Sequence, residues 1–392
     1  MNKLLGAALL TVFACLPAGA ARLERGPYLE NMAKDMVTVR FRVDSATPAW
    51  ITYGGAPDCE RFLTTAPQLK EQKITLFGLL PDTTHCYRIY LPVDQSTAAY
   101  KAFEGKFTTF REEDKPYFSF LAFGDSGSGS PEQLELAAQM DKLSPDLVVH
   151  MGDMVESGLD ADADAQFFKP YAGLLSRTPF FLALGNHDYG ADIRTDAGKG
   201  FLKTNYVPFH SVPLTGQPPH YYFFDVANAR FFVLDTNSFY GAKFAPDLRP
   251  GSKQYKWLDY YLGKTEKEWK FVVVHEPVYS TGAHSAPDDE LKALEPLFLK
   301  HKVDLVFQGH DHNYERTTPV KNGLPDEEDG IVYVTLGGGG STLYIQRRNE
   351  AWSEKFLPVY HFAFLEVNDK SLNMSVYNKA GEVIDTLEIQ KQ

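Results

Sequence analysis

From residue 117 onward the chain repeats one construction, an apolar run followed by Gly, Asp, Asn or His at its carboxyl end. The runs are YFSFLAFGD (117–125), DLVVHMGD (146–153), PFFLALGNHD (179–188), ARFFVLDTN (229–237), WKFVVVHEP (269–277), KVDLVFQGHDH (302–312) and GIVYVTLGGGG (330–340). Runs of this length and composition suit buried strands. The stretch SPEQLELAAQMDKL (130–143) opens with Ser-Pro and carries its acids early, as a helix N-terminus should. Strands alternating with helices place this region in the α/β class. In such sheets the ligand crevice lies outside the carboxyl ends of the strands. Asp125, Asp153, Asn186, His187, His275, His310 and His312 are therefore expected to converge on one site.

The preceding region has a different grammar. MVTVRFRV (36–43), PAWITYG (48–54), KITLFGL (73–79), HCYRIYLPV (85–93) and GKFTTF (105–110) are short runs parted by Gly, Pro, Asp and Asn. Their two-residue period predicts a small antiparallel β-sandwich. A charged link, REEDKP (111–116), separates the two regions. The expected organisation is a leader over 1–20, an all-β domain over 21–110, and an α/β domain over 111–392 closed by the strands HFAFLEVND and LNMSVYNKAGEVIDTLEI around an Asn-Lys-Ala-Gly turn.

The leader reads MNKLLGAALLTVFACLPAGA, with one lysine, an apolar centre too short to span a bilayer, and a small-residue cleavage site at Ala18-Gly19-Ala20. This predicts a secreted or periplasmic protein without a membrane span. Lipid attachment at Cys15 is the competing reading, disfavoured by the bulky Phe13. Removing the leader takes Lys3 from a chain of net charge −12 and leaves −13. Such a surface repels nucleic acid, so no nucleic-acid partner is expected, while a small anionic substrate remains compatible if bound cations reverse the local field. Cys59 and Cys86 would be the remaining cysteines of an exported chain, an even pair suited to one disulfide.

A single strand-end Asp is usually a turn or cap residue, and a lone His275 would read as a core histidine. Five strands ending in Gly-Asp, Gly-Asp, Gly-Asn-His-Asp, His and Gly-His-Asp-His make those separate readings an improbable coincidence. Carboxylates, imidazoles and an amide oxygen, without thiolates, suit first-row metal ions such as Fe, Zn or Mn rather than a structural zinc. Seven groups exceed the needs of one ion. Two ions sharing a carboxylate can generate a bridging hydroxide for in-line displacement at phosphorus. GGGGST (337–342) lacks the lysine and helix of a P-loop and reads as a tight strand exit.

The ordered set GDSG (124–127), GDMVE (152–156), GNHD (185–188), VHEP (274–277) and GHDH (309–312) resembles the calcineurin-like metallophosphoesterase superfamily, and within it the purple acid phosphatase branch. PYLENM, LDTNSF and HNYER add to the likeness, which covers nearly the whole chain after the leader. The resemblance implies a β-sandwich flanked by helices (αββα), preceded by a smaller fibronectin-III-like sandwich. It implies that Asp125, Asp153 and His312 hold one metal ion and that Asp153 bridges to a second held by Asn186, His275 and His310. It further implies a phosphatase acting on small phosphate esters, with His187 as the acid or charge stabiliser at the leaving oxygen. Glu156 and Asp188, beside it in the sequence motifs, are the other candidate catalytic residues. His284 and Arg316 are the candidate substrate contacts: His284 reads as a residue behind the ligands, against substrate or in an exposed loop, and Arg316 either as a bidentate contact to phosphate or as half of a structural salt bridge.

Two departures from the family pattern stand out. Glu156 occupies the position of the tyrosine that purple acid phosphatases carry three residues after the bridging aspartate, so no purple charge-transfer band is expected. Its carboxylate would either complete the first metal's ligands or orient His187. GDSG also lacks the histidine that other branches place two residues after the aspartate. A phosphomonoesterase is the favoured function. A phosphodiesterase would need a groove for a second ester arm. A binding protein on a dead phosphatase scaffold would show missing ligands, and none is missing at the second metal.

Overall fold

The computed structural model describes residues 20–65, 69–93, 98–190, 220–242, 245–284 and 291–392. The expected leader, Cys15 included, lies outside the described residues except for Ala20. Among the described residues no helix is long and apolar enough to cross a membrane.

Seven strands come first: β1 (Leu23–Glu30), β2 (Met36–Val43), β3 (Trp50–Gly55), β4 (Arg61–Thr64), β5 (Glu71–Phe77), β6 (Thr84–Pro92) and β7 (Ala99–Thr108). They form two antiparallel sheets ordered β1-β2-β5 and β4-β3-β6-β7. Val37, Val39 and Phe41 of one sheet and Ile51, Tyr87 and Ile89 of the other share a buried interior. The sequence pattern misses β1 because Gly26-Pro27 interrupts its alternation. That strand lies at a sheet edge, where a residue without an N–H is tolerated. Cys59 and Cys86 are disulfide-bonded, with Cα atoms 5.6 Å apart, which ties the turn after β3 to β6.

The second region follows with β8 (Tyr117–Phe123), α1 (Pro131–Met140), β9 (Leu147–His150), α2 (Asp160–Ala163) continued by a π-helical turn over Asp164–Phe168, α3 (Ala172–Leu175) and β10 (Phe180–Leu182). Then come β11 (Tyr222–Val226), β12 (Ala229–Val233), α4 (Lys253–Lys264), β13 (Trp269–Val273), α5 (Glu295–Lys300), β14 (Leu305–Gln308) and β15 (Tyr314–Thr317). A small hairpin of β16 (Val320–Lys321) and β17 (Leu324–Pro325) precedes β18 (Val332–Leu336), β19 (Ser353–Leu357), β20 (His361–Asn368), β21 (Ser371–Asn378) and β22 (Val383–Gln390). One sheet is ordered β10-β9-β8-β20-β21-β22 and the other β11-β12-β13-β14-β18-β15-β19.

Alternation along the strands shows how these sheets stack. In β8, Phe118, Phe120 and Ala122 enter the core between the sheets, whereas Leu121 and Phe123 face the helical side. In β13, Trp269, Phe271 and Val273 face inward and Val272 faces the opposite helical layer. Phe120 meets Phe231 and Phe307 of the facing sheet edge-on at centroid distances of 5.3 and 5.8 Å, and truncating a core phenylalanine of this kind to alanine costs about 3–5 kcal/mol. Leu136, Met140 and Leu174 of α1 and α3 cover one outer face, and Trp257, Leu258 and Phe298 of α4 and α5 cover the other. The architecture is helix, sheet, sheet, helix.

The expected C-terminal pair is a three-stranded meander. The Asn378-to-Gly381 turn joins β21 to β22, and β20 pairs antiparallel with β8, so the end of the chain completes the sheet that β8 begins. The strands that carry the site residues lie parallel within each sheet, so their carboxyl ends share one edge of the molecule.

Candidate metal centre

The chain turns sharply at three of these strand ends. Asp125, Asp153 and His310 take φ values of 57°, 56° and 64°. Asp and His are among the few residue types with a side chain that visit this left-handed region. The glycines beside them answer to crowding: a side chain on Gly185 would collide with the Asp153 carboxylate, and one on Gly152, at φ 94°, with the His275 ring. The Gly-Asp and Gly-Asn-His motifs therefore interlock across strands.

Backbone amides fix the carboxylates. The His310 N–H donates to both Asp125 oxygens (3.0 and 2.9 Å), and the His187 N–H donates to Asp153 Oδ1 (2.9 Å). Three imidazoles have their Nδ1–H committed to backbone carbonyls: His275 to Met151 (2.7 Å), His312 to Thr342 (2.8 Å) and His187 to Glu156 (2.7 Å). A carbonyl can only accept, so in each ring Nε2 is the nitrogen left with a lone pair, and His275 and His312 turn theirs toward the site.

His275 Nε2 then lies 3.0 Å from Asn186 Oδ1, 3.1 Å from His310 Nδ1 and 3.4 Å from Asp153 Oδ2. His312 Nε2 lies 3.5 Å from Asp125 Oδ1. Donor atoms of Asp153, His275 and His310 fall within 4.8 Å of one another, as do those of Asp125, Asp153 and His312. Asp153 belongs to both groups.

Lone pairs aimed at lone pairs require positive charge between them. Asp125 and Asp153 are buried, and among the described residues only imidazoles ion-pair with them. Burial and the charge of Asp153 act oppositely on His275: burial lowers its pKa, but Asp153 and Asp125 raise it well above the usual histidine value. Asp153 itself is held below the usual carboxylate range, because the imidazoles around it outweigh its burial. A cluster that would otherwise trap protons is one that divalent or trivalent cations fit. The donor set, carboxylate with imidazole and amide oxygen, suits the two expected ions.

A cavity of about 330 Å³ opens beside this cluster, lined by Gly127, Ser128, Asp153, Val155, Glu156, His187, His312, Ser341, Thr342 and Tyr344. His187 stands at its wall, half-exposed. Burial lowers its pKa, but the charge of Asp153 and the Glu156 carbonyl raise it above the ordinary histidine value. His284 packs its ring 4.6 Å from that of His310 and 5.0 Å from that of Tyr344.

Three expectations need correction. The Glu156 carboxylate is 64% exposed and belongs to neither donor group, which counts against it as a metal ligand; it faces His187 Nδ1 at 3.9 Å, within ion-pair reach but beyond a hydrogen bond. It is the backbone carbonyl of Glu156 that holds His187. Asp188 is not poised for chemistry, since it is fully buried and accepts backbone N–H groups from Asp153, Met154 and Gly185, each at 2.9 Å. Burial and the Asp153 charge push its carboxyl up to about 7. Arg316 does not line the cavity. Its guanidinium pairs with Asp385 (2.7 Å) and Glu354 (2.6 Å), and Tyr314 donates to the same Asp385 at 2.6 Å.

Other residues had no such expectation. Asp311, between the two histidines, is buried and accepts the N–H groups of Ala283 and His284 (2.9 and 3.0 Å), fixing the His284 loop. Tyr344 stacks on His312 at 4.3 Å and 10°, and its N–H donates to the His312 carbonyl at 2.9 Å. Its only sequence signal is its place just after the glycine-rich strand exit. That exit runs beside the site, with the Ser341 N–H donating to the Asp125 carbonyl at 3.1 Å.

Comparison with known proteins identifies the family and the fold. Residues 118–314 match the Calcineurin-like phosphoesterase family model. Purple acid phosphatase 3 of Arabidopsis thaliana is 27% identical over 300 residues, covering 68% of this chain and 76% of the relative. Probable inactive purple acid phosphatase 24 of the same plant is 27% identical over 316 residues, covering 69% of this chain and 49% of the relative. The chain thus spans about half the length of the first curated relatives it matches. The structure of purple acid phosphatase PPD1 from yellow lupin (Lupinus luteus) seeds superposes with a TM-score of 0.79 at 20% identity, covering 93% of this chain and 74% of that one, which shows a common fold.

Proposed function

The chain belongs to the calcineurin-like phosphoesterase family, on its purple acid phosphatase-like side, and from that premise we propose that it is an exported phosphomonoesterase with two metal ions. The observation that carries this reading is the pair of donor groups sharing Asp153, set beside a cavity walled by His187. Asp125, Asp153 and His312 would hold one ion, and Asp153, Asn186, His275 and His310 the other. When bound, the ions supply positive charge that polarises the phosphoryl group and lowers the pKa of water.

The chain's own residues do the rest. His187, its Nδ1–H anchored on the Glu156 carbonyl, presents Nε2 to the cavity and carries the proton that the leaving oxygen needs. Ser341 and Thr342 offer hydroxyls to phosphate oxygens, and Tyr344, with the His284 ring packed against it outside the cavity lining, walls the side on which an ester group would lie. The disulfide accords with an oxidising, extracytoplasmic location.

The test is elemental analysis of the purified protein together with hydrolysis of p-nitrophenyl phosphate and its bis ester. Two ions per chain and preference for the monoester are expected. Preference for the bis ester would make the protein a diesterase. Failure of the metal-loaded protein to cleave any phosphate ester would place it with the relatives named inactive, as a binding protein on this scaffold.

A further inference from the structure

The N-terminal sandwich touches the α/β domain at a point with a direct line to His187. Arg25 and Arg42 are register partners on β1 and β2, and both reach into the start of α2. Arg25, its side chain fully buried, donates to Asp164 through Nε and Nη2 (2.6 and 2.9 Å) and to Asp160 Oδ1 through Nη2 (3.0 Å). Its guanidinium lies over the Phe168 ring, 4.3 Å from the centroid. Arg42 pairs with Asp160 at 2.9 Å. Two arginines of one domain thus grip two carboxylates one helical turn apart on the other.

The gripped segment continues to Gln166, whose Oε1 accepts the Glu156 N–H at 2.8 Å. The Glu156 carbonyl in turn accepts His187 Nδ1–H at 2.7 Å. Ser157 is hydrogen-bonded to Asp162 of the same segment, and Gly158, at φ 64°, packs so closely on Gly190 and the His187 carbonyl that a Cβ there would clash. Besides the exposed Glu156 carboxylate at 3.9 Å, this backbone carbonyl is the group that holds the His187 ring. Displacing it would leave the ring free to rotate.

We infer that Gln166 is a positioning residue for His187, and that the N-terminal sandwich, through Arg25 and Asp164, sets the aim of the leaving-group acid. This rests on the phosphomonoesterase reading above. A group that protonates the leaving oxygen matters more when that oxygen leaves as a basic alkoxide than when it leaves as p-nitrophenolate. Misaligned acid catalysis therefore has a signature that a general structural fault lacks: selective loss on alkyl esters.

The experiment measures kcat and KM on p-nitrophenyl phosphate and on glycerol 2-phosphate for wild type, Gln166→Met, Gln166→Glu and Asp164→Ala, with metal content and melting temperature recorded alongside. Gln166→Met keeps the side-chain length and removes the acceptor. It should lower kcat on the alkyl ester by at least about tenfold while p-nitrophenyl phosphate stays within about threefold, with metal content and KM unchanged. Gln166→Glu, which keeps an acceptor oxygen, should restore the ratio, and Asp164→Ala should move it in the same direction as Gln166→Met. Equal losses on both esters, or an unmoved ratio, would overturn the inference. Should Asp164→Ala not fold, the Gln166 pair still decides. A wild-type protein that cleaves neither ester would instead remove the phosphatase reading, and the inference with it.

Discussion

Replacing Asp188 by alanine would strip the acceptor from three backbone amides at once, those of Asp153, Met154 and Gly185, each 2.9 Å from a carboxylate oxygen. All three lie where the chain turns into the site, and the site is buried. Each buried donor left without a partner costs about 1–3 kcal/mol, so with water reaching one of the three the other two give about 2–6 kcal/mol. For a domain of this size that is a fall of about 4–12 °C in melting temperature. Asparagine should be milder. Its single carbonyl can occupy the Oδ2 position, keeping the Asp153 and Gly185 amides, while its NH2 group faces the Met154 N–H. One donor is then lost, at about 1–3 kcal/mol. Thermal unfolding of the two variants in matched buffer with metal present measures the difference. If Asn proved as damaging as Ala, the carboxylate's charge rather than its count of donors would be what matters. If Ala unfolded like wild type, the reasoning would be wrong.

Glu156→Gln leaves the backbone carbonyl in place, so kcat is expected within about threefold of wild type and metal content unchanged by elemental analysis. Asp153→Asn removes a shared donor and should reduce occupancy at both metal positions, whereas His312→Ala should release one ion and His187→Ala none. Asp385 is buried against Arg316, Tyr314 and Lys355, and although burial opposes it, Arg316 holds its pKa below the usual carboxylate range. A depressed folded pKa contributes stability above the unfolded value and loses it as pH falls through the folded one. Asp385→Asn should therefore destabilise by on the order of 3 kcal/mol near neutral pH. In urea unfolding across a pH series that deficit should shrink below about pH 4.

Much of the site was legible because ligand chemistry is tied to residue type and strand-end position. An Asp after an apolar run and a Gly, or two His bracketing an Asp, has few alternative uses when the pattern recurs on five strands. The helix and strand rhythm was legible for the same reason, since Phe118, Phe120 and Ala122 alternate with Leu121 and Phe123 as a strand between two layers must. β1 was hidden by its Gly-Pro, and β4, a four-residue edge strand, by its shortness.

The parts that misled, or gave no signal, depend on atoms or distances that side-chain identity does not encode. His187 is held by a main-chain oxygen of Glu156, an atom every residue possesses, whereas the Glu156 carboxylate that sets this residue apart in the sequence stands out in solvent. Arg316 meets Asp385 across 69 positions of chain, and Arg25 meets Asp164 across 139. Residue chemistry and strand periodicity, which are local, determined the fold class and the candidate metal-binding set. That Arg316 meets Asp385 rather than the cavity, that Asp188 ties down a turn, and that a main-chain oxygen holds His187 were decided by tertiary packing, because hydrogen-bond reach is a few ångströms in space and carries no trace along the sequence.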